Sequence, residues 1–261
     1  MNAIEKSYAE ARKAFLPPFD MNAELPHQIY DAQRICNEAS WSKISQIVDA
    51  CLYKAQDENG GNIESERWVA NLTSRGGRWS KPVLEIFKTI QDPSHHKYRI
   101  KCILLLQYMT HFYLYFARDK YATIKNISVD KLAGRMRLPY EVIPHLLSLF
   151  TTQLQDTRAS STTNSDASEG LNATYTMDKP HKNKCLAYIL LVYIMTHGKE
   201  MKVGSINSMA KALQLELNIA SNLLRQSGCT VAKKAGGTYA VSLNAPLKFP
   251  VSKKLKRRNV V

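Results

Sequence analysis

The sequence predicts a mainly α protein with small β-sheets, built as two copies of one compact unit behind a helical lead-in. Three observations carry that expectation: an internal repeat, apolar residues at helical spacing, and alternating segments around a glycine turn. Sliding the chain against itself by 77 positions aligns 132–138 (LAGRMRL) with 209–215 (MAKALQL) without a gap. In the same register 145–150 falls on 222–227, and Ser128 falls on Ser205. A period of that length is too long for a solenoid unit and reads as two tandem small domains.

The second copy is the more legible. Cys185, Ala187, Tyr188, Leu191, Val192 and Met195 recur at helical spacing over 182–197, where Gly198 supplies a stop. Residues 201–203 suffice for a strand fragment, and Ser205 is placed to cap a second helix from 206 to about 215. A third helix over 217–226 turns Ile219, Leu223 and Leu224 inward and ends at Gly228. Residues 229–233 and 238–243 alternate with period two around Ala235-Gly236-Gly237, which predicts a hairpin. Helix, strand fragment, helix, helix and hairpin, in that order, describe a winged helix.

Taken from the start, Ile4, Tyr8, Ala11 and Phe15 form one face of a short helix that Leu16-Pro17-Pro18 breaks. A turn and a short helical segment follow over 23–30, whose apolar residues need a surface to cover them. Ser40 is expected to cap a helix carrying Trp41, Ile44, Ile47, Val48, Cys51 and Leu52, and 56–62 reads as a polar loop. Short helices are expected at 68–72 and, behind Ser80, at 82–90. Trp79, at the end of the loop 75–81, is expected to pack on the core. A strong helix covers 98–115. Its Lys101-Cys102 echoes Lys184-Cys185 at an offset of 83, whereas Met109-Thr110-His111 echoes Met195-Thr196-His197 at 86, so the two first helices should differ by about one turn. Ser128 caps a helix through Met136, Pro139 opens another ending near Thr152, and 151–156 with 172–177 are the first copy's wing strands. The expected organisation is a lead-in over 1–35, a first winged helix with a helical extension over 36–178, a second over 179–250, and a basic tail over 251–261. A polar insertion at about 156–170 forms the first wing tip.

Charge is distributed unevenly along this plan. Residues 1–178 carry 21 Lys/Arg against 20 Asp/Glu, while 179–261 carry 15 against 2. So lopsided a balance points to a polyanionic partner. The five cysteines, Cys36, Cys51, Cys102, Cys185 and Cys229, are odd in number and set in apolar patterns, as buried free thiols of a reducing compartment would be. No zinc spacing occurs among cysteines and histidines, so no metal or cofactor is expected. The longest apolar run, 186–195, is half of a membrane span, and no signal peptide opens the chain. Catalysis finds no support either. The carboxylates Asp57, Glu58, Glu64 and Glu66 cluster around the polar Gly60-Gly61 loop, without a nucleophile, base and orienter in a recognisable arrangement.

Three segments resemble a known family. Leu16-Pro17-Pro18 with Ala23, Pro26, Ile29 and Tyr30, the helical run 184–190 (KCLAYIL), and the ending 245–250 (APLKFP) look like the C-terminal half of an RNA polymerase I subunit. That subunit is the larger partner of the enzyme's TFIIF/TFIIE-like heterodimer, a polymerase-associated factor. The resemblance covers nearly the whole chain. It implies a noncatalytic nuclear, nucleolar protein whose tandem winged helix binds double-stranded DNA near the polymerase cleft. It further implies support of initiation and elongation on ribosomal RNA genes, with RNA polymerase I core subunits as partners. Family members begin with a dimerisation barrel that pairs with a smaller subunit. Nothing before Met1 supplies it, which predicts a truncated or divergent form, or a fragment.

On this reading Leu16, Pro17, Pro18, Ile29 and Tyr30 dock on the polymerase. The DNA candidates are Lys179, Lys182 and Lys184 at the start of the second copy, Lys211 on its second helix, and Asn222 and Arg225 on its third. Lys233 and Lys234 beside the glycine turn, and Lys253, Lys254, Lys256, Arg257 and Arg258 in the tail, complete the set. The tail also fits a nuclear-import signal. Few of these side chains read bases, so contacts should fall mainly on phosphates. The alternatives are a winged-helix scaffold for protein interactions, or a free DNA-binding factor not bound to the polymerase.

Overall fold

The computed structural model describes residues 3–56, 65–74, 79–117, 123–154 and 173–250. It is mainly helical with two three-stranded antiparallel sheets, as the patterning predicts. The lead-in consists of α1 (Ala3–Phe15) and two one-turn helices, α2 (Pro26–Ile29) and α3 (Ala32–Ile35). Helix α4 (Glu38–Tyr53) starts three residues before the expected point, because Asn37 rather than Ser40 is its cap. The Asn37 Oδ1 accepts the Ser40 N–H at 2.9 Å, doing what a serine hydroxyl would have done one turn later. Ser40 itself is fully buried and donates to the Glu141 carbonyl at 3.0 Å.

Helices α5 (Ser65–Thr73) and α6 (Lys81–Phe87) close around a tryptophan pair. The rings of Trp68 and Trp79 lie 5.3 and 5.4 Å from Phe87, and the Trp79 Nε1–H donates to the Thr73 carbonyl at 3.1 Å. Trp79 thus packs inside, as expected. Asp57, Glu58, Glu64, Gly60-Gly61 and Gly76-Gly77 lie outside the described residues, as does the 156–170 insertion.

The first copy runs α7 (Lys97–Ala117), β1 (Thr123–Ile127), α8 (Val129–Met136), α9 (Ile143–Phe150), β2 (Thr152–Leu154) and β3 (Ala173–Thr176). The second repeats this order as α10 (Lys179–Met195), β4 (Lys202–Val203), α11 (Asn207–Ala212), α12 (Leu217–Gln226), β5 (Thr230–Lys233) and β6 (Tyr239–Ser242). Both sheets have the same strand order, β1-β3-β2 and β4-β6-β5, with the last strand in the middle. Helix α7 has 21 residues and α10 has 17, a difference of about one turn as expected, but the longer helix is in the first copy, whereas offsets growing from 83 to 86 place the extra residues in the second. The repeat extends to backbone conformation. Arg137 and Gln214, 77 positions apart, both adopt left-handed φ, 53° and 54°. The residue after each bonds back into its helix, Leu138 N–H to Ala133 at 3.1 Å and Leu215 N–H to Ala210 at 2.9 Å. That conformation costs a non-glycine residue about 1 kcal/mol, so its recurrence marks one turn used twice.

Several boundaries differ from the sequence expectation. Strand β1 carries few apolar residues and falls outside the expected elements; it pairs with β3, Ile124 opposite Tyr175. Pro139 opens a 3-10 turn (Tyr140–Val142) before α9. Ile219 points outward at 43% exposure, and Ala220, Leu223 and Leu224 form the inner face of α12. Cys36 is half-buried, whereas Cys51, Cys102, Cys185 and Cys229 are buried. Gly228 ends α12 at φ 83°, and a side chain there would collide with Leu247 from the C-terminal segment.

The stripe on α10 proves to be one part of a helix apolar all round: every residue from Cys185 to Met195 is buried. Such a helix is a central element with neighbours on all sides. It lies antiparallel against α7, since Arg99 donates to the Thr196 carbonyl while the Lys182 ammonium sits 5.8 Å from the Tyr113 ring. Phe150 of α9 bridges the two helices, 6.2 Å from Phe112 and 5.1 Å from Tyr188. The buried residues form one continuous cluster across both copies.

Helix α10 begins three residues before the stripe implied because Asp178 caps it and Pro180 presets its first turn. The Asp178 carboxylate accepts the His181 N–H at 2.9 Å and lies 2.7 Å from its ring Nδ1. The backbone bond foremost, then the ring, hold this carboxyl below the usual range. Asp178→Ala should cost about 1 kcal/mol, read as a lower urea midpoint with an unchanged slope.

Two histidines give the fold an acid limit. The His145 Nε2–H donates to the Ile35 carbonyl at 2.8 Å and the His197 Nδ1–H to the Tyr193 carbonyl at 2.8 Å, since a carbonyl can only accept. Burial pulls both imidazoles below their ordinary value. The unfolded chain then binds protons more readily, so stability is full above pH of about 6.5 and falls as pH drops from there toward the lowered folded values. His145→Gln should flatten that slope between neutral pH and about pH 5, measured as urea midpoints across the range.

Candidate nucleic-acid interface

The exposed side of α12 carries Asn218, Ile219, Asn222, Arg225 and Gln226, spaced along one face. The Arg225 guanidinium reaches the Asn222 Oδ1 at 3.5 Å, so these two candidates share a turn. At the start of this helix the Tyr239 hydroxyl meets the Asn218 Oδ1 at 3.4 Å, joining the face to strand β6. The β5–β6 hairpin follows, with Lys233 and Lys234 exposed at its tip beside the left-handed Gly236 and Gly237.

A residue that the sequence pattern does not single out fixes this hairpin. The Asn207 side chain, at the start of α11, accepts the Tyr239 N–H at 3.2 Å and donates to the Gly237 carbonyl at 3.3 Å. The Ile206 N–H also donates to the Tyr239 carbonyl at 3.0 Å. Nothing local in the sequence links Asn207 to a turn thirty residues on.

The other candidates are placed differently. Lys179 is exposed on the first turn of α10, but Lys182 and Lys184 are half-buried. Their ammonium groups lie 5.8 and 5.9 Å from the rings of Tyr113 and Tyr188, and burial lowers the basicity of Lys184. Their methylene stems are therefore part of the fold. Lys211 is exposed on α11, where it lines a cavity with Arg135 and Arg137 of the first copy. Lys253, Lys254, Lys256, Arg257 and Arg258 lie outside the described residues.

Leu16, Pro17, Ile29 and Tyr30 are buried within the chain, and Pro18 alone of that group is exposed. The lead-in is covered by the chain itself: Asp31, Ala32 and Ile35 bond to Tyr98 and His145 of the first copy, and the earlier part lies against the second. The Tyr30 hydroxyl donates to the Ser227 carbonyl at 2.8 Å, and the Tyr188 hydroxyl to the Leu16 carbonyl at 3.2 Å. Phe19 stacks edge-on with Phe249 at 5.3 Å, Arg12 lies 4.6 Å from that ring, and its guanidinium reaches the Pro250 carbonyl at 3.1 Å. The three separate segments that carry the family resemblance therefore meet at one place. Among the described residues no three His, Cys, Asp or Glu side chains gather as a metal site, and no helix is long and apolar enough to cross a membrane.

The geometry defines a duplicated, mainly α protein that presents a polar helix face and a basic hairpin from its second copy. The model of the A49-like RNA polymerase I associated factor family matches residues 2–250, and the chain belongs to that family. No curated protein matches it. Membership bears out the expectation of an RNA polymerase I associated subunit working in the nucleus.

Proposed function

We propose that both copies are winged helices and that the second binds double-stranded DNA, mainly through phosphates, while the chain is held on RNA polymerase I. In this role it supports initiation and elongation on ribosomal RNA genes in the nucleolus. The observation carrying this reading is the acid-free outer face of α12 joined to the Lys233–Lys234 hairpin, in a stretch of chain with 15 basic and 2 acidic residues. Asn218, Asn222, Arg225 and Gln226 are too few to read many base edges, so sequence preference should be slight. Because the lead-in is spent on the chain's own core, docking on the enzyme falls to the outer surface of the first copy.

The test is a duplex titration by fluorescence anisotropy over a series of salt concentrations. With about six phosphates contacted, affinity should fall about a thousandfold between roughly 50 and 200 mM salt. A flat response, or no duplex binding, favours the scaffold reading, for which Ile219 exposed in the middle of the α12 face is the supporting observation.

A further inference from the structure

A cavity of about 980 Å³ opens where the two copies meet, between α6, α7, α8 and α11. Its exposed cations come from both copies and from α6: Arg135 and Arg137, Lys211, and Lys81. Among the described residues none of the four makes an ion pair, whereas Glu85, the acid in the lining, is engaged with Lys88 at 3.3 Å. Cations gathered in this way around one concavity focus positive potential into it and favour a multiply charged anion.

The wall also holds two unsatisfied hydroxyls. Thr110 is fully buried, and its Oγ1 has no hydrogen-bond partner, although a helical threonine can ordinarily use the carbonyl four residues back. The Ser80 Oγ, at the cap position of α6, makes no capping bond and is likewise buried without a partner. Buried polar atoms are partnered as a rule, so two orphans lining one cavity mark where a ligand's polar atoms belong. The rest of the lining is apolar or aromatic, including Leu84, Leu114 and Tyr115, and suits a flat ring.

We propose that this cavity binds a nucleotide, with its phosphates among Arg135, Arg137, Lys211 and Lys81 and its base against Tyr115, within reach of Thr110 and Ser80. An apolar peptide side chain would cover the two hydroxyls without pairing them. A base held in a stacked duplex is not free to enter the concavity. The nucleotide can be free or the unpaired end of a strand, and the site stands apart from the duplex face of α12.

The experiment titrates the full chain with ATP, with inorganic triphosphate and with a thymidine octanucleotide by calorimetry. Arg135→Glu combined with Lys211→Glu should weaken ATP binding at least tenfold, at an unchanged urea midpoint because both side chains are exposed. Thr110→Val, which keeps the side-chain shape, should weaken ATP several-fold and leave triphosphate unaffected. Octanucleotide binding without ATP binding, sensitive to the same variants, assigns the ligand to a strand. Triphosphate binding as tight as ATP, binding indifferent to the variants, or no binding of any probe overturns the proposal. Lys233→Glu with Lys234→Glu should leave ATP binding intact, so this site and the duplex face fail separately.

Discussion

Reversing Lys233 and Lys234 to glutamate should weaken duplex binding by about two orders of magnitude near 0.1 M salt and reduce the salt slope by about two. Each lysine at a phosphate releases close to one counterion, so replacing one such lysine lowers the slope by about one unit and the affinity roughly tenfold at that salt. Both side chains are exposed at a hairpin tip and make no ion pair among the described residues, so the folded chain should tolerate the change. The variant should still co-purify with polymerase from cells if, as proposed, docking falls to the other copy. An unchanged titration removes the hairpin from the interface, and loss of the polymerase with DNA binding retained would exchange the roles of the two copies.

Tyr30→Ala should cost about 3 to 5 kcal/mol of folding stability. The ring is fully buried and meets Phe19 edge-on at 6.2 Å. The hydroxyl satisfies the Ser227 carbonyl at the end of α12, and burial foremost, then Cys229, raises its pKa far above the ordinary value. Tyr30→Phe keeps the ring and removes that bond alone, for about 1 to 2 kcal/mol. The pair of variants separates two roles that the sequence alone leaves together. A tyrosine that seats the lead-in on its own chain shifts the urea midpoint in both variants, whereas one reserved for a partner's surface would leave it unmoved and lower only polymerase recovery.

The elements legible in the sequence are those whose pattern is local. The bounds of α12 follow from Leu217 through Gly228, and the hairpin from its alternation around two glycines. The 77-residue offset is visible because the turns after α8 and α11 impose the same requirements on their neighbours, down to a left-handed residue in each. Strand β1 is hidden because its partner β3 lies about fifty residues away and its own apolar content is slight. Ser40 draws the eye before Asn37 because either can cap, and only the Glu141 carbonyl takes the serine inside. The lead-in's apolar residues announce a need for burial without saying against what. The basic cavity is illegible for a related reason: Lys81, Arg135, Arg137 and Lys211 are scattered along the chain and meet only when one copy lies against the other.

The antiparallel seam between α7 and α10 makes the chain a dimer whose two subunits share one polypeptide. In a symmetric pair the same helix from each partner would form such a seam, and here the first helix of each copy supplies it. An apolar interface of that kind is obligate, and in the helices beside it the buried positions of the two copies match where the exposed ones differ. The paired positions show this. Ala133 answers Ala210 and Leu146 answers Leu223, all buried, whereas outward Lys211 answers Gly134 and Arg225 answers Ser148. The exposed cations fall at unlike positions in the two copies, since in the other direction Arg135 answers Ala212 and Arg137 answers Gln214, while the buried positions keep one pattern.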